Sequence, residues 1–233
     1  MIREINIGDK KILYEITRKK VKNINMRISA DSVVKVSASS RVSIAEIEKA
    51  ILKNSEFIFR AQDKYRKAKE NSPAPLKYEN RETIKILGKK YTLMVTKGEN
   101  NALLTDDIFH LTAADTDDFF LKEKITDAFL RQLISEKIRI WLDEIFPQFR
   151  EYGIPYPQIT FRKMKSRWGS CHIQKKKITF NTELIHKSED FCRYVIIHEL
   201  THLIHPNHSK EFYYTVKLFM ENYKEVIEKE KQI

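Results

Sequence analysis

Short alternations of apolar and polar residues run through the first half of the chain. Ile12-Leu13-Tyr14-Glu15-Ile16 and Asn25-Met26-Arg27-Ile28 have strand character, and Ala30-Asp31-Ser32 reads as a turn into Val33-Val34-Lys35-Val36. The period then lengthens. Ser43 with Glu46 three residues on forms a capping box, and Ile44, Ile47, Ile51 and Ile58 mark the buried side of a helix that trails into the charged stretch 60–70. Asn71-Ser72-Pro73-Ala74-Pro75 reads as a linker. Beyond it, residues 83–87 and 91–95 flank Gly88-Lys89 as a hairpin, and another strand pair is expected around Leu103-Leu104 and 108–111.

The second half begins with a long helical period. Phe120, Ile125, Ala128, Phe129, Leu133, Ile138, Trp141, Leu142 and Ile145 recur at threes and fours, which predicts a helix over 119–146 stopped by Pro147. Ile159-Thr160-Phe161-Arg162 and Ile178-Thr179-Phe180-Asn181 alternate as two strands, joined by residues 163–171 and the basic loop Lys175-Lys176-Lys177. A last apolar run, 194–204, reads as a buried helix capped by Ser188, with Glu189 and Asp190 in its first turn. The class is α+β: a β-rich region with one helix over 1–116, then a helical domain with a small sheet over 117–233.

Composition narrows the class. With 42% hydrophobic and 32% charged residues over 233 positions, the chain reads as soluble and globular. No stretch has the apolar length of a membrane span, and Met1-Ile2-Arg3-Glu4 lacks the core of a signal peptide. Cys171 and Cys192 are too few for a disulfide scaffold and suit a reducing cytoplasm. The net charge of +11 would suit an acidic partner. Because lysines are spread through the whole chain, nucleic acid is a disfavoured partner.

Chemistry enters at His198-Glu199-Leu200-Thr201-His202. On a helix the two histidines project from one face and can share a metal ion, while Glu199 lies about 100° round, placed to touch a water held by the metal. Ile196, Ile197, Leu200, Leu203 and Ile204 fall within an arc of roughly 120° on the opposite side, so that face is built for burial. The third ligand is either His205 or His208. Three side chains strung in line along roughly 10 Å of helix axis cannot all come within about 2.1 Å of one ion, so the chain must turn back. Pro206-Asn207 is a turn signal that aims His208 at the pair, and His208 is preferred. Three neutral imidazoles leave one position open, the arrangement of a catalytic zinc rather than a structural one. Glu199 would act as general base on the zinc-bound water and pass its proton to the leaving amine. Arg167, His172, Tyr213 and Tyr214 are candidate oxyanion donors, and Cys171 is expected to be a packed thiol rather than an inhibitory ligand.

Arg167-Trp168-Gly169-Ser170-Cys171, Ile178-Thr179-Phe180-Asn181, the His198–His202 motif and Asn207-His208-Ser209 through Phe212 together resemble the YgjP-like family of zinc metallopeptidases, relatives of the SprT-like and WLM groups. The resemblance covers most of the chain, more weakly toward its start. It implies a zincin-like catalytic domain, its active-site helix packed on a second long helix and a small sheet, acting on a protein or peptide. It implies a single zinc held by His198, His202 and His208 with Glu199 as base, and it puts the segment of Arg167 and Trp168 near the active site. Arg167, Trp168 and Tyr213 are accordingly expected at the substrate or oxyanion. Lys187-Ser188-Glu189-Asp190 departs from the proline-containing segment usual in the family before the active-site helix, which touches the cap and not the chemistry.

Overall fold

The first alternating stretches pair into a sheet with one further strand ahead of them, β1 (Ile2–Ile7); the others are β2 (Lys10–Arg18), β3 (Asn25–Ile28) and β4 (Val34–Ala38), in the order β1-β2-β4-β3. β2 and β4 run parallel, and the outer pairs are antiparallel. Ser43 makes its capping box with Glu46 and starts α1 (Ile44–Lys53). The helix then breaks at Asn54, and α2 (Ser55–Glu70) takes in the charged stretch. Ile12, Tyr14, Val34 and Val36 from the sheet meet Ile47, Ile51 and Ile58 from the helices in one core.

In this computed structural model residues 2–8, 10–29, 31–70 and 75–231 are described. Most of the linker at 71–75, and Ala30 in the turn before β4, lie outside them. Contacts divide the chain into two compact units after Pro75, not after residue 116. The reason is the second sheet. β5 (Thr83–Ile86), β6 (Lys89–Lys97), β7 (Asn101–Thr105) and β8 (Ile108–Ala113) pair in the order β5-β6-β8-β7, again with one parallel pair, β6 with β8. Their inward residues Ile84, Ile86, Leu93, Phe109 and Leu111 share a core with Leu130, Ile134, Ile138 and Leu142 of the helix that follows, α3 (Phe119–Phe149). Those strands therefore belong with the helical half.

Pro147 does not stop α3, which runs through it to Phe149. Proline removes one amide donor from the last turn. Packing outweighs that loss: Phe149 is fully buried and stacks on Phe219 with ring centroids 4.0 Å apart.

A third sheet follows. β9 (Gln158–Arg162) and β11 (Lys177–Asn181) are parallel, and β10 (Gly169–His172) pairs antiparallel with β11 as an edge strand. A sequence of Gly-Ser-Cys-His has little strand propensity, and this strand is set by its partner. Three helices complete the unit: α4 (Glu189–Thr201), α5 (Lys210–Phe219) and α6 (Tyr223–Lys231). α4 packs on α3, and its Cys192, Ile196, Ile197 and Leu200 are buried in the core the two helices share. Gly88 turns the β5–β6 hairpin with φ +84, and a Cβ there would come within 3.3 Å of the Ser188 Cα at the start of α4. No helix among the described residues is long and apolar enough to cross a membrane.

Candidate metal centre

The residues of α4 that face outward from its core side form one stripe: Phe191, Tyr194, Val195, His198 and His202. Ser188 caps this helix by accepting the Phe191 amide at 3.3 Å. The carboxylate of Glu230, brought from α6, accepts from both the Ser188 hydroxyl (2.8 Å) and amide (3.3 Å), and pairs with the Lys187 ammonium at 3.2 Å. α4 is thus held at its N-terminus from outside.

Its C-terminus is where the chain turns. The last regular residue is Thr201, whose hydroxyl donates back to the Ile197 carbonyl at 2.7 Å. Leu203 and Ile204 bond three residues back rather than four, so the helix tightens and ends at His202, ahead of Pro206. The segment 202–209 then folds over, and α5 begins at a Ser209 cap. One ring nitrogen from each of His198, His202 and His208 lies within 4.8 Å of the others. The Nε2 atoms of His198 and His208 are 3.1 Å apart. A tetrahedral ion with ligand bonds of about 2.0–2.1 Å holds its ligand atoms about 3.3–3.4 Å apart, so this spacing is close to that of a bound pair. His205 goes elsewhere, its Nε2 3.0 Å from the Thr215 hydroxyl.

The proton positions agree with ligation. His202 Nδ1 faces the His205 carbonyl at 3.3 Å, and a carbonyl can only accept, so Nδ1 carries the proton and Nε2 keeps its lone pair. His198 Nδ1 lies 3.2 Å from the Tyr194 hydroxyl. All three imidazoles pack on Phe212, fully buried beneath them, with ring centroids 4.7–5.0 Å away. Burial, and then the neighbouring His202 and His208, hold the His198 pKa down to about 4, and burial also lowers that of His202. Both are therefore neutral donors at pH 7. Glu199 is 5% exposed, and its Oε2 has no hydrogen-bond partner. Burial pushes its carboxyl up to about 7, against the pull of the Arg167 guanidinium. Three imidazole nitrogens converging in the cleft that the unpartnered buried carboxyl of Glu199 also lines fit a divalent cation.

Opposite α4, the cleft is walled by residues 167–171 and Ile173, enclosing about 540 Å³. Gly169 lies directly against Glu199: a Cβ there would fall 2.5 Å from Glu199 Oε1. Trp168 packs edge-on against Phe191, and the Lys187 ammonium sits over its ring. Cys171 also lines the cleft; burial and the Glu199 charge push its thiol up to about 12, so it is a neutral thiol. Of the other candidates, Tyr213 stacks on the His208 ring at 6.0 Å, outside the cleft lining, while His172 and Tyr214 are exposed and line no part of it. The motif spacing did not point to Tyr194 or Phe212 as neighbours of the triad, although Tyr194 stands four residues before His198 on its own stripe.

A family model described as YgjP-like, metallopeptidase domain, matches residues 22–231. Among solved structures the chain is similar to the metallopeptidase zymogen of Pyrococcus abyssi abylysin, with 23% identity, a TM-score of 0.34, and coverage of 38% of this chain and 87% of that one. No curated protein matches it.

Proposed function

The chain belongs to the YgjP-like metallopeptidase family, and from that premise we propose that it is a zinc-dependent peptidase, with one zinc held by His198, His202 and His208 and Glu199 as general base. The observation that carries this reading is the convergence of the three ring nitrogens beside the orphaned Glu199 carboxyl. Imidazole donors suit zinc, and three protein ligands rather than four leave the open position of a catalytic site. The packing of α4 on α3, with β10 alongside, supports a zincin-like arrangement.

When bound, the ion supplies Lewis acidity, lowering the pKa of water toward about 7 and polarising a carbonyl oxygen. The rest falls to the protein. Glu199 accepts the proton of the attacking water at its unpartnered oxygen and delivers it to the leaving amine. Its buried setting keeps the carboxyl's proton affinity high, which suits both halves of that transfer. Tyr194 and the His205 carbonyl fix the rings of His198 and His202 through Nδ1. Among the described residues β10 pairs only on its β11 side, which leaves its other edge to take an extended peptide by backbone pairing and supports a protein or peptide as the substrate. Arg167 and Trp168 at the cleft, with Tyr213 beside His208, are the side chains proposed to contact it. Both cysteines are free, in keeping with a cytoplasmic location.

The test is metal analysis with a cleavage assay on an unfolded protein. The expected result is one zinc per chain and cleavage that stops on chelation and returns with zinc. Full cleavage by metal-free protein would contradict the reading.

A further inference from the structure

The segment from Met164 to Gly169 carries Arg167, Trp168 and the glycine that touches Glu199, yet its first five residues belong to no strand or helix. What fixes it is Asn181, the last residue of β11, itself 3% exposed. The Asn181 amide donates from Nδ2 to the Met164 carbonyl (2.9 Å) and the Arg167 carbonyl (2.8 Å). Its Oδ1 accepts from the Met164 amide and the Glu183 amide, both at 3.1 Å. The Asn181 main-chain amide donates to the Trp168 carbonyl at 2.9 Å. A side-chain amide has two donor hydrogens and two acceptor lone pairs, and here all four are used. Aspartate would lose both donors and set a carboxylate against two carbonyls. Leucine would lose all four bonds. Asparagine alone meets this set of partners.

We propose that Asn181 is a positioning residue for catalysis: it holds the 164–169 segment so that Gly169 seats Glu199 and the chain enters edge strand β10 at the depth a substrate backbone requires. Three carbonyls and an amide of the segment converge on one residue, which sets where the wall stands relative to α4. The contact between wall and base is tight, with no room for even a methyl group at Gly169. A shift of about 1 Å in such a wall is worth roughly a hundredfold in rate. Asn181 touches no metal ligand, so it acts on the substrate side of the cleft and not on the metal. The inference rests on the peptidase reading for its kinetic consequence, but its structural content can be read separately.

The test uses the full chain, with Asn181→Asp and the milder Asn181→Ser. Trp168 is 37% exposed and Trp141 3%, so quenching of tryptophan emission by acrylamide reports chiefly on Trp168. In folded variants the expected result is zinc affinity within about threefold of wild type, Trp168 quenching changed by about twofold, and KM for an unfolded protein raised about tenfold or more. Unchanged quenching and KM in folded variants would overturn the proposal, as would loss of zinc affinity in step with any loss of activity. If neither variant folds, hydrogen exchange on the wild type decides: the Met164 amide should be protected about a hundredfold, and an unprotected amide would overturn it. A wild type that cleaves nothing would contradict the peptidase reading, while quenching and exchange would still decide the role of Asn181.

Discussion

Tyr194 stands one helical turn before His198 and presents its hydroxyl to that ring's Nδ1. Phenylalanine keeps the ring, which stacks on Tyr223, and removes only the oxygen. Tyr194→Phe is therefore expected to weaken zinc binding by about 10- to 100-fold, measured by competition with a chelator, with folding intact. Gly169→Ala acts on the other partner. A methyl there displaces Glu199, and cleavage should fall about a hundredfold while zinc stays bound. Arg167 lowers the Glu199 pKa through its positive charge, so Arg167→Gln should raise it and move the acid limb of the kcat/KM profile to higher pH. The place of His198 and His202 on one face, with Glu199 beside them, was legible in the sequence because helical spacing alone puts them together. Tyr194 went unnoticed, although the same rule puts it four residues away on one stripe. Gly169 against Glu199 was not legible: thirty residues separate them, and nothing local records that a strand edge will press on that carboxyl.

At the scale of elements, the sequence read well wherever period and packing agree. The strands of both four-stranded sheets other than β1, the Ser43 capping box and the Ser188 cap carry their own signals. Two elements did not. β10 has turn-like residues and becomes a strand only by pairing with β11, and α3 passes Pro147 because Phe149 has a stacking partner seventy residues on. The clamp between α6 and α4 belongs to the same hidden class. Burial by itself would raise the Glu230 carboxyl, but the Ser188 hydroxyl and amide and the Lys187 ammonium outweigh it and hold the pKa below its ordinary value near 4.5. A carboxyl depressed on folding stabilises the fold above its unfolded pKa, and that contribution fades as pH falls through the folded value. Wild type should thus exceed Glu230→Gln in Tm at neutral pH, and the gap should close below about pH 4.5 in thermal melts.

For the whole molecule, the two four-stranded sheets share one strand order, and each is followed by helix, yet among the described residues only the second shares a core with α3 and α4. A fragment starting at Leu76 is expected to fold and bind one zinc with the affinity of the full chain. A fragment starting at residue 117 should not fold cooperatively, because it loses the buried strand residues that pack on α3. Circular dichroism and metal titration of the two fragments check this. Charge follows the same division: residues 1–75 hold 17 lysines and arginines against 9 acids, and the rest of the chain 26 against 23. Any salt-dependent affinity for a polyanion should therefore be lost with the first unit, while the cleft keeps its activity. In the proposed mechanism that activity rests above all on one carboxyl. Glu199→Gln keeps the size of the side chain and the three histidines but cannot take a proton, so the account predicts one zinc per chain and cleavage of an unfolded protein lowered by about 10²- to 10⁴-fold. Equal cleavage by zinc-loaded wild type and Glu199→Gln would contradict it.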